Sequence, residues 1–184
     1  MDNGESSYRR FLDGDDEGIS EIVREYKDGL VFYLNSIVGD VFLAEELMQD
    51  TFTKLVIKKP RFRGESAFKT WLYAIGRNLA LDALRRGKTP SVPLDEVENY
   101  IDEALSIEEK YLKTEENLRL RRALDSIRPE YAQALWLLYF ESFTYKEAAV
   151  IMKKSAKQFD NIVFRAKRAL RARLEKEGVV YEGL

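Results

Sequence analysis

The chain has 184 residues, with 30 Lys and Arg against 32 Asp and Glu, and contains neither cysteine nor histidine. Those two absences exclude disulfides, Cys/His zinc sites, a cysteine nucleophile and any triad that uses imidazole as its base, so a metal site would have to be built from oxygen ligands. The length suits one ordinary domain or two small ones, and a hydrophobic content of 45% is enough for a core; ten Gly and four Pro are few for a loop-rich β fold, so the expectation is all-α.

Residues Met1 to Asp16 are polar and acidic, without the apolar stretch behind a basic start that marks a signal peptide. The longest apolar run, Ala134 to Phe140, has seven residues, too few to span a bilayer. The chain therefore reads as cytoplasmic, with no stable membrane insertion. Asp13, Asp15, Glu17 and Gly18 imitate the start of a calcium loop, but Arg24 stands where the bidentate Glu is needed, and a solvated acidic turn is the better reading. No phosphate-binding G-x-x-x-x-G-K-[ST] loop is present.

Three helices are expected before residue 88. The first, Glu17 to Val38, carries Ile19, Ile22, Val23, Tyr26, Leu30 and Phe32 at mixed three- and four-residue steps. In the second, Val41 to Ile57, the residues Ala44, Met48, Thr51, Phe52 and Leu55 fall on one side. Glu46, Gln49, Asp50 and Thr53 fall on the other and leave an acidic polar face. Pro60 and Gly64 punctuate the approach to the third, Ser66 to Arg86, whose core stripe is read as Phe68, Leu72, Ile75 and Leu79. Gly87, Pro90 and Pro93 then interrupt the pattern, and an acid-rich stretch over 89–117 reads as a linker between two helical domains, 1–88 and 118–184.

In the second domain Leu120, Ala123, Leu124 and Ile127 form one periodic helix, and Pro129 opens another that should run through Phe140. Thr144 to Glu147 is a T-x-x-E capping box, with Phe143 placed to act as its staple, and Ser155 to Gln158 is an S-x-x-Q box. Two capped helices this close together fit a helix-turn-helix. The last helix has a buried stripe of Phe159, Ile162, Val163, Ala166 and Leu170. Opposite lie Lys157, Asn161, Phe164, Arg165 and Arg168: cations for phosphates and guanine edges, an amide for adenine and a ring for a thymine methyl. An ordinary basic surface helix has the same face; the capped helix before it favours DNA contact.

Charge is partitioned along the chain. Residues 1–60 hold 7 bases against 13 acids, 61–88 hold 7 against 2, 89–117 hold 2 against 9, and 118–184 hold 14 against 8. The two basic blocks are the candidates for phosphate contact.

The stretch FRGESAFKTWLYAIGRNLALDALRR, Phe62 to Arg86, resembles regions 2.3 to 2.4 of bacterial RNA polymerase sigma factors of the extracytoplasmic-function (ECF) group. AEELMQDTFTKL, Ala44 to Leu55, resembles their region 2.2, and RPEYAQALWLLYFESFTYKEAAVIMKKSAKQFDNIVFRAKRAL, Arg128 to Leu170, is similar to their region 4. The resemblance implies a non-enzymatic factor, without cofactor, metal or catalytic residues, that binds core RNA polymerase and opens promoter DNA. It implies that Glu46, Gln49, Asp50 and Thr53 dock on the clamp helices of the polymerase. It implies that Arg61, Arg63, Gly64, Glu65, Ser66, Lys69, Trp71, Tyr73 and Asn78 act on the minus-ten element, where cations hold the backbone and rings receive an unstacked base. Phe68 and Trp71 fit a core role as well, Phe68 more so because it heads the buried stripe.

Lys157, Gln158, Asn161, Phe164, Arg165 and Arg168 would read the minus-thirty-five element. Leu135, Leu138 and Phe140 would meet the polymerase flap or lie in the core, and the acidic linker would follow the basic polymerase cleft. Asp160 and Ile162 stand where many members carry Lys or Arg, and no Gly marks the turn at Lys153 to Ser155. An anti-sigma protein is a further partner that this likeness leaves open. The competing expectations are a helix-turn-helix regulator that binds duplex DNA alone and an adaptor that binds only protein. The acidic first 60 residues oppose autonomous DNA binding.

Overall fold

The computed structural model describes residues 4–87, 120 and 122–176, so the linker at 89–117 and the domain boundary at 118 lie outside the described residues. Every regular element among those residues is helical, and no helix there is long and apolar enough to cross a membrane.

The first module contains α1 (Glu5–Leu12), α2 (Glu17–Val38), α3 (Val41–Lys58) and α4 (Phe68–Arg86). α1 falls in the stretch read from sequence as merely polar and acidic. Two turns are too short for a clear period, yet Glu5 at its start and Arg9 and Arg10 at its end complement the helix dipole, and Ser7, Tyr8 and Phe11 are buried. It lies so close to α2 that a Cβ added at Gly18 would collide with the Ser7 carbonyl oxygen and come within 2.9 Å of the Phe11 nitrogen. α3 starts at Asp40, whose Oδ1 accepts the Leu43 N–H at 3.0 Å, and ends at Lys59 in the left-handed region at φ 42°.

The core face of α4 is rotated from the expected one. Phe68, Leu72, Tyr73, Gly76, Ala80 and Ala83 are buried, whereas Ile75 and Leu79 are only half-buried. Small residues account for the difference. A Cβ at Gly76 would sit 3.1 Å from a Leu30 methyl carbon and 3.3 Å from the Thr51 hydroxyl, so Gly76 and Ala80 let α4 settle against α2 and α3. A stripe read from large apolar residues passes over them.

α2 departs from a simple amphipathic helix. Gly29, Leu30, Val31, Phe32, Tyr33 and Leu34 are all buried, which requires neighbours on every side. The first module covers part of this surface and the second covers the rest. That second module has helical residues at 122–125, then α5 (Pro129–Leu135), α6 (Tyr145–Ile151) and α7 (Ala156–Lys176). α5 does not continue to Phe140 as a regular helix: Trp136–Phe140 form a π-helical turn, with the Glu141 N–H donating to the Trp136 carbonyl at 3.1 Å. Trp136 stacks on Phe140 at 4.2 Å and approaches Phe32 of α2 at 5.9 Å between ring centroids. Trp136 and Leu137 are buried, so the core role holds for this segment, with Leu135 also buried and Leu138 and Phe140 half-buried.

Gly18→Ala forces α1 away from α2. The expected loss is about 1–3 kcal/mol of stability, the range for overpacking a tight contact. A urea titration followed by tryptophan fluorescence should show a lower midpoint; an unchanged midpoint would mean that α1 contributes nothing to the first module.

Candidate nucleic-acid interface

Three surfaces carry the side chains expected to function. The first is the loop between α3 and α4. Arg61, Arg63, Gly64 and Glu65 are exposed, Ser66 is half-buried, and Gly64 takes a left-handed φ of 71° with nothing near its missing Cβ. Arg63 pairs loosely with Glu65 at 3.9 Å. The loop is held from beneath by a residue the sequence did not bring forward. The Tyr8 hydroxyl of α1 donates to the Pro60 carbonyl at 2.8 Å, and the Tyr8 ring lies 5.5 Å from the rings of both Phe68 and Trp71. Phe62 closes the cluster at 5.2 Å from Trp71 and 5.6 Å from Phe68. Phe68 is fully buried here, while Trp71 and Asn78 keep partial exposure along one flank of α4.

Lys69 and Tyr73 are placed differently from the expectation of an open DNA surface. Tyr73 has no exposed area, because the rotated stripe carries it into the contact between modules. Its hydroxyl donates to Glu141 Oε2 at 2.6 Å, and its ring meets Phe143 edge-on at 5.0 Å. In this arrangement the Tyr73 ring is unavailable to an unstacked base. Lys69 reaches the same carboxylate at 3.0 Å. Phe143 therefore packs across the modules instead of only stapling α6.

The second surface is α7. Lys157, Asn161, Phe164, Arg165 and Arg168 are all exposed on the face opposite Phe159, Ile162, Val163, Ala166 and Leu170, which are buried. Phe164 is 63% exposed, and the Arg168 guanidinium lies 5.8 Å from its ring centroid. Both capping boxes close. The Thr144 N–H donates to Glu147 Oε2 at 2.8 Å and the Glu147 N–H to Thr144 Oγ at 3.3 Å; the Ser155 N–H donates to Gln158 Oε1 at 2.9 Å and the Gln158 N–H to Ser155 Oγ at 3.2 Å. Gln158 is exposed, but its amide oxygen is committed to the cap. Between the two helices Lys153 adopts φ 54°, so the turn uses a left-handed lysine where glycine is common. Of the two positions noted as departures, Asp160 is exposed on this helix and Ile162 belongs to the core.

The third surface is on α3. Gln49, Asp50 and Thr53 are exposed and Glu46 is half-buried, opposite a core face of Leu43, Ala44, Leu47, Thr51, Phe52 and Leu55. A groove beside it, lined by Ile19, Val23, Phe52, Val56 and Ile57 among others, has a volume of about 680 Å³ and leaves Ile57 69% exposed. Among the described residues, no cluster of acidic side chains is arranged to hold a metal ion.

The model of Sigma-70 region 2 matches residues 22–89, and that of Sigma-70 region 4 matches residues 117–170. The ECF RNA polymerase sigma factor SigM of Bacillus subtilis is 30% identical over 155 residues, covering 84% of this chain and 93% of the relative. This chain is an ECF sigma factor. The ECF RNA polymerase sigma-E factor of Escherichia coli is 28% identical over 172 residues, 88% of each chain. In fold, the chain is similar to CnrH, solved with the cytosolic domain of CnrY, at a TM-score of 0.68 and 18% identity over 95% of this chain and 99% of that one. It is also similar to the sigma factor RpoE of Bartonella quintana, at a TM-score of 0.62 and 19% identity over 85% and 96%. The sigma factor is thus a transcription initiation factor of the two-domain type, and α1 precedes the span of its region 2 match.

The Tyr8 support of the loop gives a pH-dependent expectation. Burial pushes the Tyr8 phenol up from 10.0 to about 12, so the sigma factor favours the neutral phenol. Tyr8 therefore contributes its full stability below pH 10 and loses it as the pH rises toward 12. Tyr8→Phe removes the bond to Pro60, at a cost of about 1 kcal/mol near neutral pH. Urea midpoints taken between about pH 9 and pH 11.5 should fall more steeply for the unmodified sigma factor than for Tyr8→Phe. Parallel slopes would remove Tyr8 from the alkaline transition.

Proposed function

We propose that this sigma factor binds core RNA polymerase through the α3 face, engages the minus-ten element with the α3–α4 loop and the flank of α4, and reads the minus-thirty-five element with α7. It works in the cytoplasm, by binding, and carries out no bond chemistry of its own. The observation that carries the reading is the exposed face of α7. A helix-turn-helix with both caps satisfied presents three cations, an amide and an exposed ring on one side of a helix whose other side is buried.

The loop has the chemistry for a single strand. Arg61 and Arg63 supply positive charge, and left-handed Gly64 lets backbone approach closely. Trp71, half-exposed and wedged among Tyr8, Phe62 and Phe68, offers a ring edge whose position is fixed before DNA arrives. On α3, Glu46, Gln49, Asp50 and Thr53 give a polar, acidic surface suited to a basic partner helix, and the adjoining apolar groove adds area for burial. The domain division at 1–88, 89–117 and 118–184 assigns polymerase binding and melting to the first unit and upstream duplex reading to the last. RpoE, similar in fold, was solved with the anti-sigma factor NepR, which supports an anti-sigma protein as a further partner here.

Reconstitution with core polymerase and a promoter carrying a fluorescent base analogue in the minus-ten element tests the whole reading; the signal should rise only when both proteins are present. Tight operator binding by the free chain, with no polymerase binding and no opening, would overturn it. Lys157→Ala and Arg165→Ala should each weaken minus-thirty-five binding by about 1–3 kcal/mol while core association stays intact, and a lost phosphate contact should flatten the salt dependence by about one unit of slope. Charge reversal at Glu46 and Asp50 should do the opposite, lowering core affinity while duplex contacts by α7 persist. Equal loss of core binding from both pairs would refute this division.

A further inference from the structure

We infer that Glu141 is an autoinhibitory latch. From the second module its carboxylate holds Lys69 and Tyr73 of the first, keeping the two DNA-binding units folded together until a partner separates them. The inference rests on the proposed function, and on the family resemblance that puts Lys69 and Tyr73 at the minus-ten element, only for the effect on DNA; the closure itself is a matter of contacts between modules.

The geometry is that of a built polar contact. Glu141 is 8% exposed. Its Oε2 accepts the Tyr73 hydroxyl at 2.6 Å and lies 3.0 Å from Lys69 Nζ, and the same ammonium donates to the Glu141 backbone carbonyl at 2.9 Å. Lys69 Nζ also lies 4.7 Å from the centre of the Phe143 ring, so both residues flanking Ser142 grip the same cation. The second module is bent to make this contact. The π-helical turn at Trp136–Phe140 is followed by Ser142 at a left-handed φ of 57°, an uncommon conformation for a residue with a side chain. The first module makes room for it. A Cβ at Gly29 would stand 2.6 Å from the Tyr73 hydroxyl and 2.7 and 2.8 Å from the two Glu141 carboxylate oxygens. Glycine at that point of α2 leaves the latch its space, and a methyl group there would push the Tyr73 hydroxyl and the carboxylate aside.

The consequence is steric as well as electrostatic. Elements centred near minus ten and minus thirty-five lie about 25 base pairs apart, about 85 Å of duplex at 3.4 Å per step. A chain of 184 residues packed as one body has a radius of gyration of about 16 Å, hence a breadth of roughly 40 Å. With the latch closed, the α3–α4 loop and α7 cannot reach both elements at once. A carboxylate also occupies the position on Lys69 that a strand phosphate would take, and Phe143 occupies the face of Tyr73 that a base would take.

The absence of native cysteine allows single labels to be placed cleanly. Lys54→Cys on α3 and Glu175→Cys on α7, both exposed, would carry a spin-label pair whose separation reports closure. Glu141→Gln, Gly29→Ala and Tyr73→Phe should each shift the free chain toward longer separations, as should added core polymerase. Glu141→Gln should also raise affinity for a single-stranded minus-ten oligonucleotide by about fivefold or more. Circular dichroism identifies any variant that fails to fold, and Tyr73→Phe, which loses one oxygen, keeps the test open in that case. Unchanged separations in folded Glu141→Gln and Tyr73→Phe would overturn the latch. Longer separations without a gain in oligonucleotide affinity would establish the latch and instead remove Lys69 from the minus-ten surface.

Discussion

The middle of α2 has no solvent face. Six consecutive residues, Gly29 to Leu34, are buried, and at about 3.6 residues per turn six in a row point to every side of the helix. α3 and α4 cover one side of this segment; Trp136 and Glu141 from the far end of the sequence cover another. The two modules are consequently parts of one apolar structure as well as separate carriers of binding surfaces. Separating them exposes Phe32 and the surroundings of Gly29 to water, and that cost must be met by whatever partner opens them.

The surfaces intended for other molecules are built away from this seam. α7 buries Phe159, Ile162, Val163, Ala166 and Leu170 within its own module, so its basic face is oriented by local packing and by the Ser155–Gln158 cap. Its orientation survives whether or not the modules touch. The α3–α4 loop is similarly anchored inside the first module, through Tyr8 and Pro60. Lys69 and Tyr73 are the exceptions: they belong to the first module's proposed DNA surface and yet lie in the seam. They couple the state of the seam to the state of the binding surface.

How much of this could be read from the chain depends on what each element uses as its signal. α2 and α3 begin and end at, or within a residue of, the expected positions, because Gly39, Asp40 and the apolar period mark their limits. The outward face of α7 was legible as the complement of a clear stripe. α1 was not, since eight residues show too little period and its burial rests on Tyr8 and Phe11 finding α2 and α4. The face of α4 was misassigned because Gly76 and Ala80, which decide how close it packs, carry no hydrophobic signal. The fate of Glu141 was equally silent. Nothing in a local window distinguishes a glutamate at the end of an apolar run from one that folds back onto a lysine 72 residues away. The burial of Tyr73 in the seam was hidden for both reasons together.

The chemistry at the seam suits an interface meant to open. A buried carboxylate paired with a half-buried ammonium gains little net stability over an apolar pair of the same shape, because the carboxylate surrenders its hydration and the ammonium part of its own. That loss is recovered when the modules part and both charges return to water, whereas an apolar contact offers no such return. Glu141 and Lys69 therefore make closure specific, since a displaced register would strand a charge, without making it permanent. The same reasoning explains why the carboxylate comes from the second module. Residues 61–88 carry 7 bases against 2 acids, so an acid that neutralises this block while leaving it basic once released must be supplied from elsewhere in the chain. An acid fixed within α4 itself would weaken the basic surface in every state, and the opened factor would meet DNA with less charge.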